Sequence, residues 1–237
     1  MVGKDLIMAT LFGSGGGSSG SGGGGEGEIS PLDALIDGTI TEIRSEMVKM
    51  IGPHALTGRN YLLKAEFPAV NKIGASAFSN CGKLEDVYTP SASIVNDYAF
   101  ENCSSLVAIS LPDLTNPGVG LFRYCMKLKR VDMGAATAIK GNTFANCYNL
   151  VSVIMRAETI ATLASTNAFN QCYHILGKVN TTDNPDGLAD GYIYVPRALV
   201  DTYKAATNWS TYASQFRALE DYTVDGTITG ELDPTKI

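Results

Sequence analysis

Apolar positions recur in this chain at a fixed long step. Phenylalanine stands at Phe78, Phe100, Phe122, Phe144 and Phe169, and three residues after each comes a cysteine, at Cys81, Cys103, Cys125, Cys147 and Cys172. The successive steps are 22, 22, 22 and 25 residues for both residue types. Three residues past the cysteines lie Leu84, Leu106, Leu128, Leu150 and Ile175, and three further on Val87, Ile109, Val131 and Val153. Ahead of the phenylalanines runs a column of Ile73, Val95, Pro117 and Ile139, in which Pro117 departs from the pattern. Pro68, Pro90 and Pro112 form another column that gives way to Gly134, and Asn80, Asn102 and Asn146 precede their cysteines where Tyr124 and Gln171 stand in the other two turns.

A fixed period of this size is the signature of a stacked-repeat solenoid. Segments such as Leu84 to Thr89 predict one short strand per turn with its apolar residues inside the coil, and parallel strands of successive turns stack at ~4.8 Å, so about six turns make a rod roughly 30 Å long. The phenylalanines then form a continuous aromatic spine on the side away from the strands, each contributing ~1.5–3 kcal/mol by burial. The register also runs backwards with decay: Ile51, Ala55, Leu56 and Leu62 fill their columns, Arg59 replaces the cysteine, and Ile40 and Ile43 match the Leu and Val positions. Atypical terminal repeats are expected, because one face of each meets water.

The pattern L-x-x-V-x-x-P followed by I-x-x-x-A-F-x-N-C-x-x-L resembles the BspA-like, or Treponema-type, leucine-rich repeat. It covers roughly residues 38 to 179, with the full signature in Ala77-Phe78-Ser79-Asn80-Cys81 and Ala99-Phe100-Glu101-Asn102-Cys103. The resemblance implies a right-handed leucine-rich-repeat coil with one short parallel strand per 22-residue turn. It also implies a bacterial surface or secreted protein tied to adhesion.

The ends have a different texture. Met1 to Phe12 is a mildly apolar leader without a small-residue cleavage site, a poor match to a secretory signal. Gly13 to Gly27 is almost wholly Gly and Ser, a flexible tether expected to span about 20 Å; a docking peptide on a tether, a leader of no consequence and a linker from an expression design all remain open for residues 1–27. The solenoid is expected over 28–179. After Ile175 the period is lost and Thr181 to Gly191 reads as a turn-rich insertion. Tyr192-Ile193-Tyr194-Val195 reads as a final strand halted by Pro196, and Arg197 to Ala206 has helical spacing with Leu199, Val200 and Tyr203 on one side. With Trp209, Tyr212 and Phe216, this stretch predicts an α/β C-terminal cap over 180–220, and it resembles the I-Y-V-P…Y-K-A-A…N-W segment that closes bacterial repeat proteins of this type. A tail follows at 221–237, where Val224-Asp225-Gly226-Thr227-Ile228-Thr229 echoes Ile36-Asp37-Gly38-Thr39-Ile40-Thr41.

At 237 residues, 45% hydrophobic and 18% charged, the chain can hold a sizeable core in one folded unit. A net charge of −6 argues against nucleic acid as a general partner. No stretch approaches the ~18 consecutive apolar residues of a spanning helix.

Chemistry finds few candidates. The two histidines, His54 and His174, fall at opposite ends of the solenoid, and Cys172, the one cysteine near a histidine, belongs to the repeat column. A buried repeated cysteine behaves as a small hydrophobe. Cysteines one turn apart could share a soft metal, but the chain has no C-x-x-C and no ligand histidine beside the column. An odd count of five argues against a disulfide framework. No phosphate-binding loop follows a strand, so no cofactor and no enzyme is expected. Asn102-Cys103-Ser104, Asn180-Thr181-Thr182 and Asn208-Trp209-Ser210 match the glycosylation acceptor pattern, the first as part of the repeat's own turn.

What remains is the outward strand face. One column holds Glu42, Lys64, Asp86, Ala108, Arg130 and Ser152; the other holds Arg44, Glu66, Tyr88, Ser110, Asp132 and Ile154. Mixed signs and a single aromatic fit neither a sugar-stacking nor a nucleic-acid face. Lys64 with Glu66 and Arg130 with Asp132 can serve as cross-strand pairs in solvent. A docking partner is expected to be a protein, with Lys64, Glu66, Asp86, Tyr88, Arg130, Asp132 and Ile154 as candidate contacts and Tyr88, Arg130 and Ile154 as anchors. Two readings stay open: a non-catalytic protein-binding or adhesion module, at the cell surface or secreted, and a structural or receptor-binding component of a phage or prophage particle docked through residues 1–12.

Overall fold

Each 22-residue step returns the chain to the same place one strand spacing further along. A computed structural model of the protein describes residues 40–221 together with the two-residue strands Glu28–Ile29, Thr223–Val224 and Thr227–Ile228. The leader and the Gly/Ser tract expected at 1–27, and the echo motif at 36–39, lie outside the described residues.

The main sheet has eight parallel strands in the order Phe216–Ala218, Tyr192–Val195, Ser152–Ile154, Arg130–Asp132, Ala108–Ser110, Asp86–Tyr88, Lys64–Glu66 and Glu42–Arg44. Its register repeats the sequence period, with Lys64 opposite Asp86, Ala108 opposite Arg130, and Arg130 opposite Ser152. This is the solenoid expected from the columns, with one such strand per turn. Each turn carries in addition a two-residue strand on another side, and Glu28–Ile29, Met50–Ile51, Lys72–Ile73, Ile94–Val95 and Asn116–Pro117 form a second parallel sheet. Strands of two residues are too short for alternation to show in sequence. Glu28 pairs with Met50, again 22 residues on. The ladder breaks after Pro117, a residue with no N–H to offer, and Ala138–Ile139 pairs with Thr162–Leu163 beyond the break.

The aromatic spine is continuous. Ring centroids of Phe78, Phe100, Phe122, Phe144 and Phe169 lie 5.1, 5.6, 5.9 and 5.2 Å apart, near-parallel at first and tilted 26° at the last step. The backbone follows: Phe78 N–H donates to Ala99 O at 2.8 Å and Phe100 N–H to Leu121 O at 3.0 Å. The column that precedes each cysteine explains its own composition. Asn80, Asn102 and Asn146 have φ of 62°, 57° and 64°, in the left-handed region that asparagine tolerates better than most residues. Asn102 Nδ2 also donates to Asn80 Oδ1 at 2.9 Å, one turn away.

Past the last repeat, the terminal segment closes the stack. Trp209 and Tyr212 tilt against Phe169 at 6.2 and 5.0 Å. Their polar ends, with that of Tyr203, satisfy backbone groups of the last turn that lie outside its main-sheet strand, which pairs with Tyr192–Val195. Trp209 Nε1 donates to Ala161 O at 2.7 Å, Ala161 N–H donates to the Tyr203 hydroxyl at 2.8 Å, and the Tyr212 hydroxyl donates to Thr166 O at 2.8 Å. The helical spacing after Pro196 becomes a 3-10 turn at Arg197–Leu199 that runs into a helix at Val200–Ala205. Tyr192–Val195 joins the sheet as expected, but it is not the final strand: Phe216–Ala218 pairs beyond it, too short to stand out in the sequence. Thr223–Val224 and Thr227–Ile228 form a small antiparallel hairpin.

Truncating the middle of the spine leaves a cavity between two rings. Phe100→Ala is expected to lower unfolding free energy by about 3–5 kcal/mol in urea titration, and Phe100→Leu by clearly less.

Candidate functional site

The main sheet turns every second side chain outward, and the parallel register aligns those side chains into the two expected columns. Their environments differ sharply along the rod. In the first turns the charges neutralise one another: Lys64 Nζ lies 2.8 Å from Glu66 and 3.1 Å from Asp86, while Arg44 lies 2.7 Å from Glu46 and 3.5 Å from Glu66. Pairs this exposed add little to stability, but they leave these groups already partnered.

Two candidates are not on an open face. Ile154 is fully buried, with Tyr194 and Leu219 packed against it from the two strands beyond and their continuation. Asp132 is 1% exposed. Its expected partner Arg130 does not bind it; Arg156 Nε donates to its two carboxylate oxygens at 3.2 and 3.0 Å, Gly134 N–H at 2.9 Å and the Ser110 hydroxyl at 3.4 Å. The cause lies in the turn. Gly134 has φ of +52°, and a Cβ there would sit 2.4 Å from Leu111 O and Pro112 O, so the chain dips where the three preceding turns carry proline and Asp132 caps the dip. Ser152 is buried as well.

Between these two stretches the face is open. Ala108 and Ser110 are small, and with Asp86, Tyr88, Pro90 and Pro112 they line a shallow depression across the sheet. Tyr88, 42% exposed, stands on one side, and Arg130, half-exposed, on the strand at the other. Neither the Tyr88 nor the Arg130 side chain makes a hydrogen bond or ion pair with another described residue.

Two neighbours of Arg130 escape a reading confined to strand columns. Lys127 and Lys129 flank the buried Leu128 in the turn before the strand, and both are exposed. The signal was available in the sequence as four cations between Arg123 and Arg130 of an acidic chain. In the same turn Tyr124 occupies the asparagine column with φ of 63°. A bulky residue held there stores about 1–3 kcal/mol of strain, and Tyr124 and Met126 are 39% and 38% exposed.

The cysteine thiols are bonded to the backbone. Each thiol donates to the carbonyl of the spine residue one turn back: Cys81 to Leu56 at 3.0 Å, Cys103 to Phe78 at 3.2 Å, Cys125 to Phe100 at 3.0 Å, Cys147 to Phe122 at 3.1 Å and Cys172 to Phe144 at 3.0 Å. Burial pushes the Cys81 thiol up to about 11 and raises Cys103, Cys147 and Cys172 as well. The pairing of Cys172 with His174 is not made: His174 places Nδ1 2.7 Å from Asp190 Oδ1 and Nε2 2.9 Å from Asp183 O, tying down the 180–190 excursion. Among the described residues, no group of three or more His, Cys, Asp and Glu side chains is placed to hold a metal ion. No helix among them is long and apolar enough to cross a membrane. Of the glycosylation-type asparagines, Asn208 donates to Leu163 O at 2.8 Å and Asn180 accepts from Thr182 and Asp183 N–H, both at 3.0 Å, so all three side chains have structural bonds.

A family model described as the BspA type leucine rich repeat region matches residues 49–176 in six copies. Among solved structures, the chain is similar to a leucine rich repeat protein of T. pallidum, at 19% identity and a TM-score of 0.50, over 63% of this chain and 80% of that one. It is also similar to the pneumococcal vaccine antigen PcpA, at 14% identity and a TM-score of 0.53, over 76% of this chain and 40% of PcpA. At these identities the likeness is one of fold. No curated protein matches the chain.

The raised thiols give stability a pH dependence. A group whose pKa is raised on folding stabilises the native state below its unfolded value, here 9.0, and the contribution is lost as pH climbs through the folded value, about 11 for Cys81. The melting temperature is therefore expected to fall as pH rises above about 9. The fall should be shallower in Cys103→Ala, which isolates one thiol from the lysines and tyrosines that titrate in the same range.

Proposed function

Because the chain belongs to the BspA-type leucine-rich repeat family, we propose that it is a non-catalytic protein-binding or adhesion module that engages its partner through the open part of the strand face. The observation that carries this reading is the depression over Ala108 and Ser110, flanked by Tyr88 and Arg130. These are the two candidate side chains left without an internal hydrogen bond or ion pair, whereas Lys64, Glu66 and Asp86 are paired with one another and Asp132 and Ile154 are covered. Tyrosine and arginine are the residue types that most often carry binding energy at protein interfaces. A rigid sheet holds both at fixed separation, so little ordering is lost on docking.

Lys64, Glu66 and Asp86 then form a charged rim, which governs orientation and approach more than affinity. Leucine-rich repeat domains are interaction scaffolds; adhesion as the biological outcome is the finer part of the proposal.

A photo-crosslinking amino acid at position 88 tests it, with position 72 on the second sheet as control. Incubation of the full chain with surface extract of the source cells, or of cells they contact, is expected to give a discrete adduct from position 88 and none from 72. Tyr88→Ala and Arg130→Ala should each weaken capture of that adduct's protein at least tenfold, about 1.4 kcal/mol. Equal labelling from both positions, or none from 88, overturns the proposal.

A further inference from the structure

Charge is segregated along this rod. Residues 102–157 hold six cationic and two acidic side chains, leaving twelve cationic and twenty-two acidic side chains for the remainder of a chain whose net charge is −6. Of the two acids in this stretch, Asp132 is buried against Arg156, so that pair cancels and Asp113 is left against the other five cations. The cations concentrate in the single turn from Arg123 to Arg130. Arg123 is held 2.8 Å from Glu101 and lies over the Tyr98 and Tyr124 rings. The side chains of Lys127, Lys129 and Arg130 make no hydrogen bond or ion pair with another described residue, although the backbone N–H groups of Lys129 and Arg130 donate to Val107 O. Beside them stand the exposed Tyr124, in a left-handed conformation unfavourable for an aromatic residue, and the exposed Met126.

We infer that this turn is a docking surface for an acidic, partly apolar peptide segment of a protein partner, with Lys127, Lys129 and Arg130 meeting carboxylates and Tyr124 and Met126 covering apolar side chains. The inference rests on the protein-binding reading above and specifies the chemistry of the partner. Charge complementarity identifies the occupant: three unpaired cations on an otherwise acidic body attract an anion locally and repel it elsewhere. A long polyanion fits less well, since its affinity grows with the number of charges neutralised and these cations occupy one turn, about 5 Å along the rod. The apolar pair also has no role on a phosphate or sulfate backbone.

The test is fluorescence anisotropy of the full chain with two labelled synthetic peptides, one alternating Glu and Leu and one alternating Gln and Leu, and with a labelled heparin fragment. The expected result is binding of the Glu peptide alone, weakened by added salt and at least tenfold by Lys127→Glu with Lys129→Glu. Both sites are exposed, so the melting temperature should hold; Lys127→Gln with Lys129→Gln serves if it does not. Equal binding of the Gln peptide, failure of both peptides, indifference to the lysine changes, or tighter binding of heparin each overturns the inference. Tyr88→Ala separates it from the broader reading. Loss through Tyr88→Ala alone sinks the acidic-partner inference and leaves the open-face reading standing. Loss through the lysines alone, with no adduct from position 88, keeps the inference and sinks the open-face reading.

Discussion

The constraint on which this structure depends is the stacking of each turn on the last at a single strand spacing, with 22 residues between partners from Glu42 to Ser152. A repeat that short brings every side chain against its own counterpart. Each column must therefore be filled by residues that tolerate their own copies. Phenylalanine stacks ring on ring at 5.1–5.9 Å. Cysteine is small enough to leave room for the ring beside it and still offers a donor to a buried carbonyl. Asparagine accepts the left-handed backbone and bonds its neighbour's amide. Charged columns obey the same rule by alternating sign, as Lys64 does above Asp86 and Arg44 beside Glu66.

Such an assembly has no natural end, because the last turn always leaves backbone groups and an apolar face unpaired. Here the terminal segment solves both problems at once. Trp209, Tyr203 and Tyr212 bring aromatic surface to the end of the spine, and their nitrogen and oxygen atoms meet the peptide groups of Ala161 and Thr166. Amphipathic aromatic side chains suit that junction, being apolar in body and polar at the tip.

Departures from the repeat shape the outward surface more than the repeat does. Where a column keeps its residue, that residue serves packing. Small residues at Ala108 and Ser110 open the face, Gly134 in the proline column draws Asp132 inward, and Tyr124 in the asparagine column is held in a conformation it resists. These departures cluster in the third and fourth turns, where the unpaired cations also lie.

The sequence by itself determined the fold. The period, the identity of the Phe, Cys and Leu columns, the single long strand of each turn and its register all follow from side chains having to match across one strand spacing, which a one-dimensional repeat records directly. It also showed which residues share the outward columns. Which of those residues are free was decided only in three dimensions. Ile154 reads as an exposed anchor until Tyr194 and Leu219, some forty and more residues away in sequence, cover it. Asp132 reads as the partner of Arg130 until the turn at Gly134 brings in Arg156 from the next coil. The end of the main sheet escaped for the same reason, since Phe216–Ala218 is a strand by virtue of its neighbour rather than its own pattern. Local periodicity reports contacts between equivalent positions; solvent exposure and pairing depend on contacts between non-equivalent ones, and those exist only after the chain has coiled.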